Sequence, residues 1–283
     1  MQARERLPDM EENMKEVGRI PLEGLYNTRD LGGMKSKEGR RIKPRRLLRS
    51  GQLKGMTERD KEVLLKEYQL RTVVDFRTRR EKEEAPDPDL PGVQFVWDPI
   101  LSDLAVGITQ DKKTQEDMMR FLARQLSSGV DAAKEYMTGL YRNMIKEADS
   151  RAGYRRFFAV LLNQEKGAVL WHCSAGKDRV CVGTALLLEA LDIPEEKIFQ
   201  DYMLVNELTA QAVEEQMKKL GTRIEDPGLL ACIRSLLQVQ SGYLQGVLDE
   251  IRDSYGSMER FLEQEMDLGS ANRKRLKELY LED

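Results

Sequence analysis

"VLWHCSAGKDRVCVG", residues 169–183, decides how the chain is read. Extended to its left it becomes "AVLWHC", an unbroken apolar run of the kind buried on both faces of a parallel sheet. Extended to its right it becomes "RVCVGTALLLEAL", which has the length and composition of a buried helix. The residues between them form a tight strand-to-helix loop. Such a loop turns several backbone N–H groups toward one point, and the helix dipole adds positive potential there, so an oxyanion binds at the junction.

Working outward, "RLLRS" (46–50), "RTVVDF" (71–76) and "VQFVWDPI" (93–100) read as further short strands, the last following the turn-like "PDPDLPG". "TERDKEVLLKEY" (57–68) is an amphipathic helix opened by Thr57. Ala133, Tyr136, Met137, Leu140, Tyr141, Met144 and Ile145 recur at helical spacing, as do Phe157, Phe158, Leu161 and Leu162, which predicts two helices broken near "DSRAG" (149–153). Beyond Pro194 the pattern is helical almost throughout. The expected fold class is α/β: a mostly parallel sheet flanked by helices, with extra helical segments. The expected organisation is a flexible arm over 1–20 and one domain over 21–283, with the weakly patterned 101–128 and the helix after it, within 101–148, as a lid over the site.

Composition narrows the partners. Basic and acidic residues nearly balance, 46 against 49, so no field draws the chain to nucleic acid, and any anion recognition is local. Cys173, Cys181 and Cys232 fit neither a disulfide framework nor, with one histidine in the chain, a zinc site, so no metal or cofactor is expected. The charged amino terminus lacks the apolar core of a secretory signal and no run approaches the ~20 residues of a membrane span. These features predict a cytoplasmic protein, and they leave open export by a route needing no such signal. Oligomeric state leaves no mark in the sequence.

A thiol at the end of a strand and facing a helix N-terminus ionises more readily than a free one, and the thiolate is the nucleophile. Cys173 occupies that place. Arg179 can hold two phosphate oxygens with its planar fork, while Ser174, Ala175 and Gly176 are small enough for the backbone to wrap an anion. Lys177 can meet a further substrate anion, and Asp178 can donate a proton to a leaving oxygen. Taken singly, each residue also has an ordinary reading: a free cysteine is usually a small core residue, the account preferred for Cys181 and Cys232, and 177–179 is also a solvated helix start. Together and in this order they favour catalysis.

"HCSAGKDR" resembles the signature loop of the cysteine-dependent phosphatases, His-Cys, five residues, then Arg. More closely it resembles the bacterial tyrosine-phosphatase family of the mycobacterial phosphatase B and listerial lipid phosphatase types, whose loop reads HC..GKDR. "NTRDLGG", "LLRSGQL", "TVVDFRTRRE", "DYMLVNE" and the final 255–283 extend the likeness over nearly 20–283. The resemblance implies attack by Cys173 on phosphorus, stabilisation of the equatorial oxygens by Arg179 and the loop amides, and hydrolysis of the phosphocysteine without a metal. It implies Asp178 as the general acid, with Asp75, Asp98 and Asp103 in reserve near strand ends. An ion pair with a nearby arginine is an equal reading of Asp75, and His172 reads as a support of the loop. One departure stands out: such families usually carry Ser or Thr directly after the arginine, where this chain has Val180, which predicts slowed breakdown of the phosphoenzyme.

Three functions follow as expectations. The first is a phosphotyrosine protein phosphatase of broad specificity, acting on phosphorylated protein and releasing inorganic phosphate. The second is a phosphoinositide phosphatase, for which Lys177 beside Asp178 is the resembling feature. The third is a noncatalytic phosphoprotein-binding module. "RRIKPRRLLR" (40–49) reads equally as an anchor making transient contact with a lipid headgroup or acidic peptide and as a charged hairpin edge.

Overall fold

The computed structural model describes residues 18–102 and 129–283. The arm's first 17 residues, Asp103 and most of the expected lid lie outside the described residues.

Three short strands open the fold, β1 (Arg29–Asp30), β2 (Arg41–Ile42) and β3 (Leu47–Ser50). Helix α1 (Glu58–Glu62) starts in a capping box, the Thr57 hydroxyl accepting from Asp60 N while Asp60 accepts from Thr57 N, and then widens into a π-helical stretch over Val63–Glu67. β4 (Leu70–Asp75), α2 (Arg79–Glu84) and β5 (Gln94–Trp97) follow. After α3 (Val130–Lys146) and α4 (Ala148–Asn163) comes β6 (Ala168–His172), leading into α5 (Asp178–Ala190). The remainder is α6 (Glu195–Leu208), α7 (Ala210–Gly221), α8 (Pro227–Leu237), α9 (Ser241–Tyr255), α10 (Met258–Met266) and α11 (Ser270–Tyr280), closed by β7 (Leu281–Glu282).

The main sheet has the order β1-β3-β6-β4-β5, parallel except for β1. β6 lies in its middle with all five residues buried, which is why its sequence shows no alternation. α5 is buried along nearly its whole length, packed with α3, α4 and α6 in the larger core around Trp171, Phe157 and Phe76. The fold is thus α/β, as the alternation of strands and helices predicts. Among the described residues no helix is long and apolar enough to cross a membrane.

Two details differ from the pattern. The break between α3 and α4 falls at Glu147, in extended conformation, and not within 149–153. Those polar and small residues are helical because the chain beyond β5 packs on them: Ser150 Oγ donates to Ile100 O at 2.6 Å, and a Cβ at Gly153 would stand 2.7 Å from Ile100 Cδ1. The second is β7, which pairs antiparallel with β2 and so joins the end of the chain to residues 41 and 42. Around that clasp the basic segment is largely spent on internal contacts. Lys43 Nζ donates to the carbonyls of Glu278 and Leu279, Arg46 to those of Gly167 and Gln164, and Arg49 is fully buried. Cations at the carbonyl end of α11 complement its dipole.

Candidate active site

Ser50 of β3 and Asp75 of β4 both stand level with His172 of β6, so three parallel strands end together and their loops emerge at one edge. The loop Cys173–Arg179 occupies the middle of that edge. Its carbonyls are tied outward. Ser174 O accepts from the Tyr26 hydroxyl at 2.8 Å and from Gln52 N at 3.0 Å. Ala175 O accepts from Asn27 Nδ2, and Gly176 O accepts from Asn27 Nδ2 at 2.8 Å and Arg49 Nη2 at 3.0 Å. The carbonyls of 174–176 are thus engaged, while the N–H groups of 174–177 find no acceptor among the described residues and are available to an anion. Gly176 is required here: φ is +64°, and a Cβ would meet Ser50 O at 2.5 Å.

Asn27 and Arg49 are themselves anchored. Arg49 Nη1 donates to Asp201 at 2.5 Å, and Arg29 donates through Nε to the same carboxylate at 2.7 Å and through Nη1 to Asn27 Oδ1. Burial opposes ionisation of Asp201, but the two guanidiniums override it and hold its carboxyl below the usual range. Arg49 also donates to Cys181 Sγ at 2.9 Å, which places Cys181 in this buried brace.

Cys173 is buried at the mouth of α5, close enough to Arg49 and Arg179 for electrostatic interaction with both. Arg179 is gripped by Glu81, Nη1 to Oε2 at 2.5 Å and Nη2 to Oε1 at 2.8 Å, and Ser174 Oγ donates to the same Oε1 at 2.6 Å. Glu81 is set by its own capping box: it is the third residue of α2, with Oε2 accepting from Thr78 N. Burial raises the Glu81 carboxyl, but Arg179, Ser174 and Thr78 outweigh it and bring it down to about 2. Arg179 responds in kind: burial works against its charge, and Glu81 more than restores it. The grip fixes the guanidinium in one plane with its charge assured.

The other sequence-derived residues sort by partner. His172 is fully buried, its Nδ1 3.4 Å from Cys173 O and its Nε2 3.4 Å from Asp87 and 3.8 Å from Asp75. Asp75 takes three hydrogen bonds from Arg77, through backbone N, Nε and Nη2. The ligand atoms of Asp75, Asp87 and His172 approach one another as those of a metal site do, but Arg77 Nη2 also lies 2.9 Å from Asp87, so a guanidinium already neutralises both carboxylates. Asp98 is buried against Arg156 of α4 at 2.8 Å rather than against the loop, and desolvation, countered by Arg156, leaves it raised to about 6. Lys177 is buried too. Its Nζ donates to Leu236 O at the end of α8 at 2.6 Å and stands 3.5 Å from Asp178 Oδ2, so in this structure it faces inward. Asp178, the first residue of α5, accepts from the Tyr141 hydroxyl at 2.8 Å.

Asn27, Arg29, Arg49, Glu81 and Asp201 lie within the sequence motifs, where nothing local to them specifies a role. The structure gives each a place around the loop. Charged residues inside otherwise apolar or capping segments, above all Arg49 in "RLLRS", were the available signal.

A sequence model described as "Tyrosine phosphatase family" matches residues 20–282 of the chain. A protein of Cupriavidus necator assigned by name to the tyrosine-protein phosphatases is 28% identical over 254 residues, covering 89% of this chain and 85% of that relative. The triple specificity protein phosphatase PtpB of Mycobacterium tuberculosis is 27% identical over 260 residues, 85% of this chain and 91% of PtpB. A tyrosine-protein phosphatase of Nostoc commune is 25% identical over 222 residues, 76% of this chain and 67% of the relative.

Proposed function

The chain belongs to the tyrosine phosphatase family, and from that premise we propose that it hydrolyses phosphotyrosine in proteins, and other phosphate monoesters with it, through a phosphocysteine on Cys173. The observation that carries this reading is the loop itself: backbone amides without an acceptor among the described residues, a buried thiol, and Arg179 held by both oxygens of Glu81. In the first step the Cys173 sulfur forms a bond to phosphorus as the ester oxygen leaves, and Asp178 passes its proton to that oxygen. Arg179 and the amides of 174–179 receive the charge of the three equatorial oxygens. In the second step water attacks phosphorus, the Asp178 carboxylate takes its proton, the P–S bond breaks and inorganic phosphate leaves.

Breadth of specificity is supported by the name of the mycobacterial relative, a triple specificity phosphatase. Phosphoinositide hydrolysis needs a second anion site beside the loop, and the inward-turned Lys177 would have to release Leu236 O to provide it. The test is release of inorganic phosphate from an aryl phosphate and from phosphotyrosine peptide, expected for the wild type and abolished in Cys173→Ser. A wild type that binds phosphopeptide and releases no phosphate would make the chain a binding module.

A further inference from the structure

Asp178 lies among phenols that its carboxylate, when ionised, acts on. Tyr136 and Tyr141 from α3, Tyr154 from α4, Tyr202 from α6 and Tyr243 from α9 all lie near enough to feel it, with Lys177 Nζ 3.5 Å from Oδ2 and Arg179 next to it in α5. Tyr141 reaches it with a hydrogen bond, 2.8 Å to Oδ1. That phenol has little freedom. Tyr141 is fully buried, its ring 5.6 Å from that of Tyr243 and 6.2 Å, edge-on, from that of Tyr202, whose hydroxyl is 3.3 Å from the Tyr141 oxygen. Burial first, and then the neighbouring Asp178 and Tyr202, push its ionisation well above the ordinary range, so the hydroxyl keeps its proton and serves as a donor.

We propose that Tyr141 is the positioning residue of the general acid, pinning Asp178 Oδ1 so that Oδ2 carries the proton given to the leaving oxygen. The inference rests on the phosphocysteine reading above, with Asp178 as the acid. As the Oδ2 proton moves to the ester oxygen, negative charge grows on the Asp178 carboxyl, and a hydrogen bond to an ionised acceptor is stronger than one to a neutral acid. The Tyr141 bond therefore tightens toward the transition state, which is the condition for it to accelerate the step and not merely bind. Tyr141 gives up no proton of its own. An ester whose leaving oxygen needs no proton gains little from this arrangement, and one that needs a proton gains most.

The experiment measures kcat/KM, which reports the steps up to expulsion of the leaving group and not phosphoenzyme breakdown, across aryl phosphates whose leaving groups span pKa values from about 7 to about 10, for wild type, Tyr141→Phe, Asp178→Asn and the double variant. Tyr141→Phe removes one oxygen and keeps the ring. Its loss is expected to be about tenfold larger on the poorest leaving group than on the best, with inhibition by inorganic phosphate unchanged. The double variant should lose no more than Asp178→Asn alone, because the two act as one unit. Tyr202→Phe keeps the Tyr141–Asp178 bond and should keep the wild-type slope. An even loss across the series in Tyr141→Phe, or the same steepening in Tyr202→Phe, while Asp178→Asn steepens the series, overturns the role of Tyr141 alone. A flat Asp178→Asn series, or phosphate release by Cys173→Ser, overturns it together with the reading on which it rests.

Discussion

Val180 is where this loop departs from the pattern it resembles, and the structure sharpens what that departure costs. The side chain is fully buried in the first turn of α5, and the nearest hydroxyl along the helix, Thr184, is already committed: it donates to Val180 O at 2.7 Å and accepts from Trp171 Nε1 at 3.0 Å. In Val180→Thr a hydroxyl would stand one residue beyond Arg179, where it can stabilise the departing Cys173 thiolate, and breakdown of the phosphoenzyme is expected to speed up by about three- to tenfold. Stopped-flow hydrolysis of a nitrophenyl phosphate reads this as a smaller burst and a faster steady state. The accompanying cost is a buried hydroxyl, about 1 kcal/mol, seen as a lower thermal midpoint. At this scale the sequence was legible where chemistry is local: Cys173, Arg179 and Gly176 sit within seven consecutive positions. Glu81 was not legible, because its partner Arg179 is 98 residues away and nothing in a capping box announces which cation its carboxylate will meet.

The strand β6, its loop and α5 could be read directly because an unbroken apolar run, a small-residue turn and a buried helix each have their own composition. α7 and α8 could be read as helices but not placed, since amphipathic spacing fixes a face and not a neighbour. What places the end of α8 is Lys177, whose ammonium satisfies Leu236 O while Asn206 of α6 exchanges hydrogen bonds with the backbone of Val239 just beyond. A buried ammonium bound to a helix's last carbonyls both meets their unpaired oxygens and complements the dipole. Lys177→Met keeps most of the aliphatic stem and loses that bond. Amide exchange over the last turn of α8 and residues 238–240 is expected to accelerate about tenfold, with α4 and α5 unaffected. Unchanged exchange in that segment would show that packing alone seats α8 and that Lys177 is free to serve substrate instead.

At the scale of the whole molecule, two of the contacts between distant segments, whose partners lie far apart in the chain, escaped the sequence pattern. The β2–β7 clasp joins two strands of two residues each, too short to show any period. The other is Asp98, just past β5, which meets Arg156 of α4 while its Oδ2 is buried without a partner. Desolvation exceeds what Arg156 returns, so the folded state holds this carboxyl raised to about 6 against 3.8 for the free group. A carboxyl raised on folding binds its proton more tightly in the native state, so its contribution is greatest below about pH 4 and is lost as pH climbs through about 6. By pH 7.5 an ionised, half-satisfied Asp98 costs the fold about 2–3 kcal/mol relative to acid conditions. Asp98→Asn removes the charge and retains an oxygen for Arg156. In urea denaturation the variant should therefore be more stable than wild type at pH 7.5 by about 1–2 kcal/mol, with the difference shrinking steadily toward pH 5 as the wild-type carboxyl takes up its proton. A gap that stays constant across that range would mean that Asp98 takes up no proton between pH 7.5 and pH 5 and that Arg156 keeps it ionised, which overturns the raised carboxyl.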